Sequence, residues 1–113
     1  MKKTQTLKLN RDFRRLYSKG RYAVSGSLVV YTMKNRIQKN RLGLTTGKTI
    51  GNAVKRNRAK RLLRESYRLL EERLKDGYDI VLVARTRAVH QKCPQISKDM
   101  EYAMKKLGLI EHA

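Results

Sequence analysis

Residues 51–65 read GNAVKRNRAKRLLRE, with six lysine and arginine side chains among fifteen positions. The apolar positions nevertheless recur with a helical period, and this pattern continues to about residue 75. Successive helical residues rotate by about 100°, which gives the segment two distinct faces. The cationic and polar face carries Asn57, Lys60, Arg61, Arg64 and Arg68. The opposite, mostly apolar face carries Leu63, Ser66, Tyr67, Leu70 and Leu74, with Leu62 and Leu69 at its edge.

Such a helix is costly to fold unless negative charge lies against it, because like charges on one helix face repel each other. The whole chain has the same imbalance, with a formal charge of +19 from 28 basic and 9 acidic residues. A charge of this size is informative about partners rather than about fold. Membrane surfaces also attract cations, but no apolar run approaches the roughly 20 residues that span a bilayer. The helix therefore predicts contact with a nucleic-acid phosphate backbone.

The length of 113 residues predicts one domain over residues 1–113, with flexible ends at about 1–8 and 109–113. Cys93 is the single cysteine, which excludes an internal disulfide and argues against a zinc site. The first ten residues lack the apolar block of a signal peptide, and we expect a cytoplasmic protein.

The pattern of elements predicts the order helix, strand, strand, short strand, helix, strand, helix, which is an α+β domain. Asn10 is the expected N-cap of the first helix, which ends at Gly20. Asn52 is the expected cap of the central helix, which runs to about residue 75 and stops at Gly77. The predicted strands are 27–33, 41–46, a short one around 48–50, and the buried 80–84. A final helix follows Pro94.

No catalytic constellation is evident. Metal-dependent cleavage needs several carboxylates that converge on a cation, and the acidic residues here are few and scattered. Glu65 lies among arginines, where we expect an ion pair. His90 and Cys93 are better explained as a loop residue and a packing residue than as catalytic groups. A nuclease that uses His90 with lysine or glutamate partners remains an alternative.

Residues suited to RNA binding are more numerous than residues suited to catalysis. If five side chains of the central helix each met a phosphate, the log–log salt slope of binding would be about −3.5, at roughly 0.7 per contact. Phe13, Tyr17 and Tyr31 form a second group, because aromatic faces beside a positive groove are typical of single-strand RNA recognition. Spacing alone favours a core position for these three aromatic side chains.

Residues 41–65 closely resemble the signature of the bacterial ribonuclease P protein component. The specific matches are Gly51-Asn52-Ala53-Val54, Arg56-Asn57-Arg58, Lys60-Arg61 and Arg64-Glu65. The resemblance implies an α-β-β-β-α-β-α sandwich with a left-handed β-α-β crossover, similar to a domain of a small-subunit ribosomal protein and of elongation factor G. The usual rule for such crossovers would predict the opposite hand.

The resemblance also implies a ribonucleoprotein in which the RNA subunit, with magnesium, hydrolyses precursor tRNA and releases its 5′ leader. One protein would bind one RNA, with Mg²⁺ held mainly by the RNA and at most positioned indirectly near Asn57. The cleft for the leader would be lined by Phe13, Tyr17 and Tyr31. The residues expected to contact the catalytic RNA and its phosphates are Lys48, Lys55, Arg56, Asn57, Arg58, Lys60, Arg61, Arg64 and Arg68.

The alternative function is that of a structural ribosomal RNA-binding protein. It would share the charge and the fold class, but it would need no cleft that is selective for a leader.

Overall fold

The computed structural model describes residues 3–47 and 50–111. Within these ranges five strands and three α-helices alternate in the order β-α-β-β-β-α-β-α. Short 3₁₀ turns follow the second helix and the last strand, at Glu71–Arg73 and Thr86–His90. The elements are β1 (Thr4–Thr6), α1 (Asn10–Lys19), β2 (Arg21–Val24), β3 (Leu28–Lys34), β4 (Asn40–Thr46), α2 (Ala53–Leu70), β5 (Tyr78–Ala84) and α3 (Cys93–Lys106).

The strands form one mixed sheet in the order β1-β4-β5-β3-β2. β1, β4 and β5 run parallel, whereas β3 is antiparallel to β5 and to the edge strand β2. β5 lies in the centre with layers on both faces, which explains its unbroken apolar sequence. The strand predicted at 80–84 is thus confirmed and begins two residues earlier.

The two faces of the sheet are covered unequally. On one face, alternate side chains such as Val30, Leu42 and Leu82 join the buried residues of α2 and α3 in the main core. On the other face α1 covers a smaller cluster around Leu16 and Val81. The molecule therefore has three layers, with one short helix on one side of the sheet and two longer helices on the other.

The two-faced character of α2 is confirmed. Its buried residues are Ala59, Leu63, Ser66, Tyr67 and Leu70. The predicted cap is confirmed as well, since the Asn52 side chain accepts a hydrogen bond of 3.0 Å from the backbone N–H of Lys55. Local periodicity and capping are thus sufficient to predict the start and the buried face of this helix.

Two helix boundaries differ from the prediction. Asn10 lies inside α1, where Leu9 is the N-cap and no side chain caps the helix. α2 ends at Leu70 instead of about residue 75, because the chain tightens into a 3₁₀ turn in which the N–H of Leu74 bonds to the carbonyl of Glu71 at 3.2 Å. Gly77 then adopts a positive φ of 93° before β5.

β1 and β2 are strands that the sequence patterns did not predict. Of the short strand expected around 48–50, residues 48 and 49 lie outside the described residues, and Ile50 is buried outside the strands. The flexibility expected for 1–8 and 109–113 stays a prediction, although Thr4–Thr6 is paired with β4 and Leu109 and Ile110 are buried.

β4, α2 and β5 form the expected β-α-β unit, with its two parallel strands adjacent in the sheet. The α+β class is confirmed, and the left-handed sense of the crossover stays a prediction. Among residues 3–47 and 50–111, no helix is both long and apolar enough to cross a bilayer.

Candidate nucleic-acid interface

The solvent face of α2 is a row of cations that have no acidic partner in the part of the chain that the structure describes. Arg58, Arg61, Arg64 and Arg68 are exposed, Asn57 is exposed beside them, and Lys60 is partly buried. None of the lysines and arginines of α2 forms an ion pair within the described residues. The positive charge of this face is therefore not neutralised by ion pairs among residues 3–47 and 50–111.

Two further predicted contact residues lie at the start of this helix. Lys55 and Arg56 are exposed in its first turn. The Nε of Arg56 donates a hydrogen bond of 3.0 Å to the carbonyl of Ile50, which ties its side chain to the loop before the helix. Lys48 lies outside the described residues.

Several carboxylates form ion pairs at other places in the fold. Asp79 on β5 accepts two hydrogen bonds from Arg41 on β4, at 2.7 Å from Nε and 2.6 Å from Nη2. The hydrogen bond to Asp79 raises the pKa of the Arg41 guanidinium. Glu101 on α3 pairs with Arg73 at 2.7 Å and with Lys105 at 3.0 Å. The Arg41–Asp79 and Arg73–Glu101 pairs join neighbouring elements, the Glu101–Lys105 pair lies within α3, and none of these ion pairs among the described residues involves a cation of α2.

The ion pair expected for Glu65 is absent from the part of the chain that the structure describes. Its side chain is exposed on α2. The expectation was wrong because a surface carboxylate on a helix gains little from one exposed partner and also loses side-chain entropy on pairing.

The three predicted aromatic side chains come together where α1 crosses the sheet. The rings of Tyr17 on α1 and Tyr31 on β3 meet edge to face, with centroids 5.0 Å apart and planes at 77°. Phe13, one helical turn earlier, packs on the small core cluster. A Cβ built on Gly43 would lie 2.5 Å from Cζ of Phe13, so the ring lies directly on the β4 backbone. The residues are thus partly core and partly surface.

A groove opens beside these rings. It has a volume of ≈ 480 Å³ on the α1 side and is lined by Asn10, Phe13, Arg14, Tyr17, Leu44 and Thr45. Burial raises the pKa of the Tyr17 hydroxyl above its ordinary value of 10.0, and the nearby Tyr31 adds to this effect. A tyrosine hydroxyl is neutral at physiological pH even without this shift, so Tyr17 does not repel a phosphate, while Arg14 supplies a cation at the same groove.

Sequence reasoning missed two side chains of this site. Tyr22 on β2 contacts Tyr31 with ring centroids 5.7 Å apart. Its omission follows from the omission of β2, since the register of that strand places Tyr22 opposite Tyr31. Arg14 was missed although its position, one residue after Phe13 on α1, could have indicated it.

The candidates for catalysis do not form a site. His90 is exposed at the end of a 3₁₀ turn, and the Cys93 thiol packs 3.4 Å from the Ser66 hydroxyl. Among the described residues, no three His, Cys, Asp or Glu side chains converge as a metal site would require. The donor set of the described chain therefore does not fit a protein-held magnesium ion, and we assign no chemical step to one.

An unneutralised cationic helix and an aromatic groove on a small α+β domain are typical of a nucleic-acid-binding protein. The family model described as Ribonuclease P matches residues 1–108. The chain belongs to the ribonuclease P protein family.

Its relatives agree with this assignment over nearly the full length. The ribonuclease P protein component of Alkaliphilus oremlandii is 41% identical over 113 residues, which is 100% of this chain and 99% of that protein. The RNase P protein of Staphylococcus aureus superimposes with a TM-score of 0.82 at 34% identity, covering 94% of this chain and 97% of that one. A mutant of that protein, described as defective in mRNA degradation activity, gives 0.83 at 35% identity, with 93% and 89% covered.

Proposed function

We propose that this chain binds the catalytic RNA of ribonuclease P through α2 and holds the 5′ leader of precursor tRNA in the groove beside α1. Membership of the family makes it a subunit of an endoribonuclease that processes tRNA and works with an RNA subunit. Bond cleavage belongs to the RNA, with Mg²⁺ bound mainly by that RNA. One protein and one RNA form the complex, in the cytoplasm.

The single observation that carries the proposal is the unpaired cationic face of α2. Without acidic partners among the described residues, the cations of this face repel one another along the helix, and a bound polyanion would relieve that repulsion. Each contact with a phosphate releases condensed counterions, so a row of such contacts gives strong, salt-dependent binding to RNA. A face of this kind is best explained by a polyanion that neutralises it in the assembled complex.

The groove supports the second half of the proposal. Its aromatic rings offer stacking surfaces, and Arg14 supplies a cation for the backbone of a single strand. A few leader contacts worth about 1–3 kcal/mol each would give a ten- to several-hundredfold preference for precursor over mature tRNA. The protein would thereby help the RNA to select its substrate.

The test is reconstitution of the full chain with a catalytic RNA at low magnesium, scored for 5′ maturation and for affinity toward precursor and mature tRNA. We expect the protein to increase maturation and to favour precursor. The variant Tyr31→Ala should weaken precursor binding and leave mature tRNA binding unchanged. If the RNA gains neither turnover nor discrimination from the protein, the proposal is wrong.

A structural ribosomal protein is the first rival. It predicts tight RNA binding without any preference between the two tRNA forms. The same pair of affinities therefore separates the rival from the proposal.

A nuclease activity of the protein itself is the second rival. It is favoured by the S. aureus relative, of which a mutant has defective mRNA degradation activity. It is tested by incubating the RNA-free chain with precursor tRNA and with mRNA. Cleavage at the rate of the ribonucleoprotein, lost in His90→Ala, would favour this rival.

A further inference from the structure

Tyr22 extends the aromatic group beyond the side chains that the resemblance assigns to the leader. It lies on the edge strand β2, directly opposite Tyr31 in the strand register. Paired residues on neighbouring strands point to the same face of a sheet, so Tyr22 shares the face on which α1 lies. The Tyr22 side chain is 63% exposed, compared with 43% for Tyr17.

Tyr17, Tyr31 and Tyr22 form a continuous row of rings. The Tyr22 and Tyr31 planes are tilted by 35° with centroids 5.7 Å apart. Rings in direct contact have centroids about 4.5–7 Å apart, so a base has no room between these two. A base can therefore stack only on the outer face of Tyr22, whose inner face is supported by Tyr31.

The surface of the sheet around Tyr22 is apolar and can contact a nucleotide base. Val24 follows on β2 with 47% exposure, and its register partner Val29 is only partly buried. Val83 on β5, the partner of Val29, is also partly buried. This corner of the sheet is an apolar platform on a strongly basic protein, which favours a single-stranded nucleic acid over a free aromatic metabolite.

We propose that Tyr22 stacks on a leader nucleotide beyond those held at Phe13, Tyr17 and Tyr31, and so sets how long a leader the protein senses. This inference rests on the proposed function. Tyr22 acts here as a specificity-determining residue and takes no part in bond cleavage.

The experiment uses holoenzyme reconstituted from the full chain and a catalytic RNA. Its substrates are mature tRNA and precursors whose leaders lengthen by one nucleotide at a time. Tyr22→Ala should lower affinity about five- to a hundredfold, and only for leaders long enough to reach the platform. Tyr22→Phe should retain the wild-type profile, because stacking needs the ring and not the hydroxyl.

Tyr102→Ala is the matched control. Tyr102 is 51% exposed on α3, where Lys106 lies 5.0 Å from its ring centroid, and α3 packs on the opposite face of the sheet. We expect this variant to bind every leader length as the wild type does.

Two outcomes would overturn the role of Tyr22. One is an unchanged length profile in Tyr22→Ala while the wild type still prefers long leaders. The other is an equal loss for all lengths and for mature tRNA, which would indicate a structural role. In both cases the proposed function stands. If the wild type itself does not distinguish precursor from mature tRNA, the proposed function fails first.

Discussion

Gly43 is the residue on which the position of Phe13 depends. A Cβ at Gly43 would lie 2.5 Å from Cζ and 2.7 Å from Cε1 of Phe13. Gly43→Ala must therefore displace the ring, and overpacking of this kind costs about 1–3 kcal/mol. We expect a lower urea midpoint with an unchanged slope, together with weaker precursor binding because the groove loses its shape.

Gly51 is the control for this substitution. A Cβ there meets nothing within 4 Å, and its backbone needs no positive φ. Gly51→Ala should leave the urea midpoint unchanged or raise it slightly, since alanine restricts the unfolded chain. Equal midpoints for the two alanine variants would show that Phe13 adapts without cost.

The ionisation of the buried Tyr67 makes the stability of the protein fall at alkaline pH. Burial raises its pKa from 10.0 to about 12, against hydrogen bonds that act in the other direction. Between about pH 10 and 12 an unfolded Tyr67 loses its proton while the folded one retains it, so the free energy of unfolding falls as pH rises. The loss attributable to this residue reaches at most about 3 kcal/mol near pH 12.

The measurement is the difference in unfolding free energy between the wild type and Tyr67→Phe from pH 8 to 12. Subtracting the variant removes the contribution of other tyrosines and lysines. The difference should decrease above pH 10. A constant difference across this range would show that Tyr67 ionises in the folded state as readily as in the unfolded state.

At the scale of elements, α2 depends on its cap. The first four N–H groups of a helix have no partner within it, and Asn52 satisfies that of Lys55. α2 also begins without an acidic residue in its first turn, so the cap has no electrostatic substitute. Asn52→Ala should cost about 1 kcal/mol in urea unfolding. Asn57→Ala, exposed within the helix, should cost nothing measurable, and an equal loss in both would contradict the capping role.

Elements that carry their own periodic signal were predictable. α2, β5 and α3 have either a helical stripe or an unbroken apolar run, because each packs against the main core over several turns or over most of its strand. β1 and β2 have neither, since Thr4–Thr6 is short and polar and Arg21–Val24 has a single buried residue, Ala23. Their strand structure comes from pairing with β4 and β3, which local sequence does not encode.

The contrast between local patterns and tertiary pairing also explains which residues of the site were predicted from the sequence. The cations of α2 follow from a helical wheel, because they share one helix. The juxtaposition of Tyr17 with Tyr31 comes from α1 and β3, which are separate in sequence, so spacing alone favoured a core role for them. Tyr22 was missed because its neighbours are defined only by the register of an unpredicted strand.

At the scale of the whole molecule, charge is segregated. Acidic side chains form pairs such as Arg41–Asp79 and Arg73–Glu101, while the cations of α2 form no ion pair with any described residue. With a net charge of +19, every cation adds to the general attraction for RNA. If the α2 face is a localised interface, the effect of removing a cation depends on where that cation lies. If the attraction is diffuse, the position of the cation does not matter. The salt dependence of RNA binding distinguishes the two cases.

The double variant Arg61→Ala/Arg64→Ala removes two charges from the α2 face. If both meet phosphates, the log–log salt slope for binding the catalytic RNA should flatten by about 1.4. Lys98→Ala/Lys106→Ala removes the same charge from the exposed face of α3 and should leave the slope nearly unchanged. Fluorescence titration over a fourfold range of salt measures both. Equal flattening would mean that net charge, and not the α2 face, governs assembly, because only direct contacts release counterions in proportion to their number.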